Sequence, residues 1–133
     1  MRIERGELRI RKPNVVADKS FDFAVRVVNL YRFLCDEKKE YVLSKQLLRS
    51  GTSIGANIEE ALQAQSKRDY LSKMNIALKE ANESLYWIRL FHATYLLDDK
   101  QKDSLFTDCN EMISLLVAIV KTTKSNLEAA DGK

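Results

Sequence analysis

The chain has 133 residues, of which 45% are hydrophobic and 31% are charged, so its composition is that of one soluble globular domain and excludes a disordered chain. Four glycines and one proline are too few for the many turns of an all-β fold. No apolar run approaches the roughly 18 residues of a membrane-spanning helix, and two cysteines in a chain without an export signal predict reduced thiols in a cytoplasmic protein.

The net charge of +3 is distributed unevenly. Residues 1–12 contain five basic and two acidic residues, whereas the rest of the chain is balanced overall. Within that rest, residues 41–79 are basic and residues 80–133 are acidic. A polyanion-binding surface accounts for this pattern, and so does an ordinary solvated helix surface with a soluble tail.

The first 13 residues predict a short basic arm. Polar and apolar residues alternate in residues 2–5 and 8–11, Gly6 lies between these stretches, and Pro13 ends the segment. This pattern is typical of an extended arm or a small hairpin.

Four stretches with apolar residues three and four apart predict amphipathic helices near residues 19–37, 41–64, 67–96 and 99–126, about three-quarters of the chain. Ser66 is a candidate cap of the third helix, and Asp98 and Asp99 precede the fourth. Because the connections are short, we expect an all-α fold, an antiparallel up-down-up-down four-helix bundle. The bundle domain would span residues 14–127, between the arm at 1–13 and a flexible tail at 128–133.

The fourth helix has a second apolar row, which the core of a single bundle does not need. This surplus predicts a homo-oligomer. Tyr86 and Trp87 lie beside the apolar stripe of the third helix, and we interpret both as interface residues in preference to base-stacking ones. The predicted interface residues are Trp87, Phe106, Ile113, Val117 and Val120.

The supply of reactive residues argues against an enzyme. His92 is the single histidine, and Arg89 stands where a bundle di-iron site would have the Glu of Glu-x-x-His. Cys35 and Cys109 fall on apolar stripes, as small hydrophobic residues do. Residues 50–55 lack the Gly-Lys-Ser/Thr ending of a phosphate-binding loop. We therefore expect no catalytic residue, no metal and no cofactor.

Basic side chains of the second helix and of the start of the third helix predict weak contacts with the phosphates of RNA or DNA. Lys45 and Arg49 are one helical turn apart, and further basic residues open the third helix. The candidate nucleic-acid-binding residues are Lys45, Arg49, Lys67, Arg68 and Lys73.

Residues 43–61, LSKQLLRSGTSIGANIEEA, resemble the signature of the four-helix-bundle proteins that are encoded in intervening sequences of bacterial large-subunit ribosomal RNA genes. Gly55 and Ala61 stand where that family usually has Pro and Gly. The following Ser-Lys-Arg-Asp-Tyr-Leu is similar to the family's start of helix three, and Ser20-Phe21 resembles its opening of helix one. The resemblance covers about residues 19–125.

This resemblance implies a bundle that assembles as a cyclic homopentamer and has no established catalytic activity. It also implies a relationship to the accessory variability determinant of diversity-generating retroelements, which binds nucleic acid and a reverse transcriptase. Two functions follow as hypotheses. One is a nucleic-acid-binding accessory protein, with RNA or DNA and a reverse transcriptase or other protein as partners. The other is a structural scaffold or protein–protein interaction module that binds no nucleic acid.

Overall fold

The computed structural model describes residues 13–132, which form four helices joined by short connections. The helices are α1 (Val15–Asp36), α2 (Leu43–Leu62), α3 (Lys67–Ala93) and α4 (Asp99–Asp131). Each helix runs antiparallel to the next, which confirms the predicted all-α four-helix fold. The predicted arm at residues 1–12 lies outside the described residues, and no strand occurs within them.

Polar side chains cap the N-termini of three of the helices. The Asn14 side chain accepts a hydrogen bond from Ala17 N at 3.0 Å, so α1 begins four residues earlier than predicted. Ser66 caps α3 by accepting from Asp69 N at 3.1 Å. Asp98 and Gln101 form a capping box at α4, in which each side chain accepts from the backbone of the other residue.

Two helix ends differ from the sequence prediction. α3 ends at Ala93, three residues early, because Tyr95 takes a left-handed backbone conformation with φ of 66°. α4 continues to Asp131, so residues 128–131, which the sequence assigned to a tail, are helical.

The core is built from one apolar stripe of each helix. Phe23 and Val27 of α1, Ile54 of α2, Ile88 of α3 and Leu116 of α4 are almost completely buried. Small residues allow the helices to approach closely, because a Cβ added at Gly51 would lie 2.7 Å from Val27 Cγ2. The stripes predicted from the sequence include Val27, Ile54, Ile88 and Leu116 but not Phe23, and they include Tyr95, which is 89% exposed. The pattern therefore identifies much of the core but not all of it.

The helices form a ring in which α1 and α4 share the smallest contact. Two ion pairs, Lys19 with Glu111 and Arg26 with Asp108, join α1 to α4. No helix within residues 13–132 has the length and apolar character that crossing a membrane requires.

Candidate nucleic-acid interface

The five basic residues predicted to bind nucleic acid are spread along α2 and α3. Lys45 and Arg49 belong to the first half of α2, whereas Lys67 and Arg68 open α3, beside the end of α2. Lys45 is 17 residues from Leu62, the last residue of α2, and this distance is about 25 Å at 1.5 Å per residue. The structure therefore separates the predicted set into two groups at different levels of the bundle.

Arg49 is held by carboxylates of the neighbouring helix. Its guanidinium donates to Glu80 Oε2 at 3.0 Å and to Glu83 Oε2. Glu83 also accepts a hydrogen bond from Trp87 Nε1 at 3.0 Å. Arg49 is consequently part of a polar network that joins α2 to α3, and a phosphate would have to compete with two carboxylates for it.

Two more of the predicted residues have acidic partners in the same chain. Arg68 pairs with Asp131 at the end of α4, and Lys73 Nζ lies 3.2 Å from Glu60 Oε1. Lys45 and Lys67 are exposed and form no ion pair with any residue from 13 to 132. Lys45 and Lys67 are thus the members of the predicted set whose charge is not already compensated.

The predicted interface residues lie on two separate surfaces, one on α4 and one where α3 faces α2. The α4 row packs partly on the core, with Val117 the most exposed member at 47%. Phe106 shares a groove with Tyr86, whereas Trp87 turns towards Glu83 and the α2 side. Trp87 and the α4 row therefore do not form one continuous surface.

Exposed apolar residues of α1 were not among the predicted interface residues. Phe21 is 65% exposed and Val25, one turn later, is 45% exposed. Their spacing of four residues outside the main stripe is the signal from which the sequence could have identified them.

His92 joins the end of α3 to the start of α4. Its Nε2 lies 2.6 Å from Asp99 Oδ1, and hydrogen bonding to His92 lowers the pKa of the Asp99 carboxyl. Within residues 13–132, no group of three or more histidine, cysteine or acidic side chains is arranged to hold a metal ion. The sequence-based expectation of a non-catalytic protein stays a prediction.

Cys109 is buried between α3 and α4. Its Sγ donates to Ala81 O at 3.4 Å, and burial raises the pKa of the thiol to about 12. The thiol is therefore protonated at neutral pH and packs as a small apolar group.

Two open grooves lie along the outer side of α3, where it borders α4. One has a volume of about 450 Å³ and the other of about 490 Å³. The first is lined by Tyr86, Arg89, Leu90, His92, Ala93, Lys102 and Phe106. The second is lined by Arg68, Leu71, Ser72, Asn75, Ile76, Lys79 and Leu127. No carboxylate is among the described residues that line either groove.

The topology and the packing define an all-α protein of the antiparallel four-helix-bundle class. The chain belongs to the 23S rRNA-intervening sequence protein family, whose model matches residues 12–118, and this match confirms the resemblance predicted from residues 43–61.

The chain is also similar to a crystal structure from Bacteroides thetaiotaomicron, a protein with unknown function from the S23 ribosomal protein family. The two chains are 57% identical with a TM-score of 0.79, and the similarity covers 80% of this chain and 98% of that one. No curated protein matches the chain.

Proposed function

We propose that the protein is a non-catalytic, oligomeric helical bundle of the cytoplasm that binds nucleic acid weakly, as an accessory protein. The surplus of basic residues on α3 is the observation that supports this function most directly. Two of the three acidic residues of α3, Glu80 and Glu83, are turned towards Arg49 of α2. The basic residues of α3 are Lys67, Arg68, Lys73, Lys79 and Arg89.

Oligomerisation would multiply this weak surface. A cyclic assembly repeats the same basic residues around its axis, and phosphate contacts add their counterion release. A ring with an odd number of subunits needs two different complementary surfaces on each subunit. The α4 row around Val117 and the exposed pair Phe21 and Val25 of α1 are apolar candidates for these two surfaces. A homopentamer, with RNA or DNA and a reverse transcriptase or other protein as partners, agrees with the family resemblance.

The internal ion pairs favour the second candidate, a scaffold or protein–protein interaction module. Arg49, Arg68 and Lys73 each have an acidic partner, as residues with a purely structural role would. The two functions differ in one measurable property. A phosphate-binding protein loses affinity steeply as salt rises, whereas a scaffold shows no such binding at low salt.

The test is fluorescence anisotropy with labelled RNA and DNA oligonucleotides at several salt concentrations. We expect the double variant Lys45→Glu/Lys67→Glu to weaken binding to all sequences about equally and to lower the salt slope by about one for each phosphate contact. Reversal of Arg49 is less informative, because it would place a third carboxylate beside Glu80 and Glu83.

The control is Lys45→Arg/Lys67→Arg, which keeps both charges and should keep the affinity. If the parent protein does not bind either oligonucleotide at low salt, the scaffold function replaces the proposed one. If the parent binds and the charge reversal has no effect, Lys45 and Lys67 are not the phosphate contacts.

A further inference from the structure

A stripe of polar and basic side chains follows the outer side of α3. Its members are spaced alternately four and three residues apart, so they lie on one face of the helix, and none of them is acidic. We call this set the α3 polar stripe, and it consists of Arg68, Ser72, Asn75, Lys79, Asn82, Tyr86 and Arg89. Most of its members line the two grooves that border α4.

Two basic members of the stripe have uncompensated charge. Lys79 and Arg89 are exposed and form no ion pair with any residue that the structure describes. The nearest acidic residues of α3, Glu80 and Glu83, are bound by Arg49 on the side that faces α2. The stripe therefore presents positive potential around Lys79 and Arg89, on a face from which Glu80 and Glu83 are turned away.

An aromatic ring stands between these two cations. Tyr86 is 52% exposed, and its ring makes an edge-to-face contact with the Trp87 ring, with the two centroids 5.0 Å apart. On the other wall of the groove, Lys102 Nζ lies 5.3 Å from the centre of the Phe106 ring. Lys102 also pairs with Asp103 at 2.9 Å, so it contributes less free charge than Arg89.

Exposed aromatic rings between basic residues are the combination that binds single-stranded nucleic acid, since bases stack on the rings and phosphates contact the cations. The bases of a duplex are already stacked on each other and paired, so they cannot stack on the Tyr86 ring. We infer that the ligand is single-stranded nucleic acid, which lies along the α3 polar stripe and stacks one base on Tyr86. This inference rests on the proposed function and specifies its surface and its ligand.

The test compares a short labelled single-stranded oligoribonucleotide with the same sequence as a duplex, both measured by fluorescence anisotropy. We expect Tyr86→Ala to weaken single-strand binding about tenfold and to leave duplex binding unchanged. Tyr41→Ala is the matched control, because Tyr41 is also 52% exposed but lies in the connection before α2. Lys79→Glu/Arg89→Glu should weaken binding further and lower the single-strand salt slope by about 0.7 for each lost contact.

The failure of this inference differs from the failure of the proposed function. If Lys45→Glu/Lys67→Glu weakens binding and the stripe variants do not, nucleic acid binds elsewhere and the inference is overturned alone. If the parent protein binds neither oligonucleotide, both fail. If the stripe variants bind poorly and light scattering also shows that they have lost the mass of the parent assembly, the face is a contact between subunits and the inference is overturned.

Discussion

At the N-terminus of α2, the capping acceptor is a side chain two residues before the capping position. Val42 occupies that position and has no acceptor, so the Glu40 carboxylate accepts from Leu43 N at 2.9 Å and from Ser44 N at 2.7 Å. Burial opposes the ionisation of Glu40, but these hydrogen bonds outweigh it and lower the pKa of the carboxyl. Glu40 therefore stabilises the first turn of α2 in its ionised form.

Replacement of Glu40 should make the free energy of unfolding less dependent on pH in the acidic range. We expect Glu40→Ala to lower the free energy of unfolding by about 1 kcal/mol at neutral pH, as the loss of a helix cap does. Because the pKa is lowered in the fold, this contribution is present above the ordinary pKa of 4.5 and is lost as the pH falls through the lower folded value. Urea unfolding of the parent and the variant at neutral and at acidic pH measures the difference.

Glu37→Ala is the control for Glu40→Ala, since Glu37 lies in the same connection and its side chain is exposed. The control should change stability little at either pH. A difference between Glu40→Ala and the parent that stayed constant down to acidic pH would contradict the role of the ionised carboxylate.

The residues that cap helices show what the sequence could and could not predict at this scale. Ser66 and Asp98 directly precede their helices, so the ordinary capping preference identified both. Glu40 acts only because the backbone after it folds back on the carboxylate, and no spacing rule signals that geometry.

The end of α3 is a helix terminus with an unusual residue. Tyr95 adopts a φ of 66°, and Leu96 N donates to Phe91 O at 2.8 Å, which is the bonding pattern that usually has Gly at the left-handed position. The sequence predicted a helix to residue 96 because no glycine marks the stop. The sequence also predicted that the fourth helix ends near residue 126, whereas α4 continues to Asp131.

We expect Tyr95→Gly to raise the free energy of unfolding by about 0.5–1 kcal/mol, because glycine adopts this conformation without a steric penalty. The ring is 89% exposed, so its removal forfeits little packing. Thermal and urea unfolding measure the gain. Tyr95→Ala is the control that removes the ring but keeps the Cβ, and an equal gain in both variants would refute the conformational explanation.

The register of α2 against α3 depends in part on two buried hydroxyl groups. Ser84 Oγ donates to Ser50 Oγ at 3.0 Å, and both residues are fully buried. Ser84→Ala would leave the Ser50 hydroxyl buried without this partner, so we expect it to cost about 1–3 kcal/mol. The double variant Ser50→Ala/Ser84→Ala should recover part of that loss, because it buries no unsatisfied polar group.

A double-mutant cycle in urea measures this coupling. If the two single effects simply add, the hydrogen bond contributes nothing to the packing of α2 on α3, and the role assigned to it is wrong.

For the whole molecule, the sequence predicted the four helices and much of the core because both depend on local periodicity. The sequence also identifies the basic residues, but it does not show which of them lack an acidic partner and could bind a phosphate. Arg49 meets Glu80 and Glu83 only when α2 and α3 pack antiparallel, and Arg68 meets Asp131 only because α4 is longer than predicted. Packing likewise determines which side of α3 faces outward. The sequence therefore shows the regular spacing of the α3 polar stripe, but it does not show that the stripe is exposed.

The exposed apolar residues predict that the single bundle is not the final assembly. Val117 is 47% exposed within the apolar row of α4, so its side chain is available for a neighbouring subunit without unfolding the bundle. We expect light scattering of the parent at micromolar concentration to give a multiple of 15.3 kDa, and five copies if the state implied by the family resemblance holds. Val117→Glu should reduce that mass while circular dichroism stays helical, since a charge would then face the subunit contact.

The matched control is Val42→Glu, a substitution at a valine that is 71% exposed and precedes α2. It introduces the same charge at a site that no assembly argument involves, so the mass should stay that of the parent. A parent mass of 15.3 kDa would refute the assembly itself. A dimer would keep the argument from exposed apolar surface but would reject a ring of five, because two copies can join through one self-complementary patch whereas a ring requires two different ones.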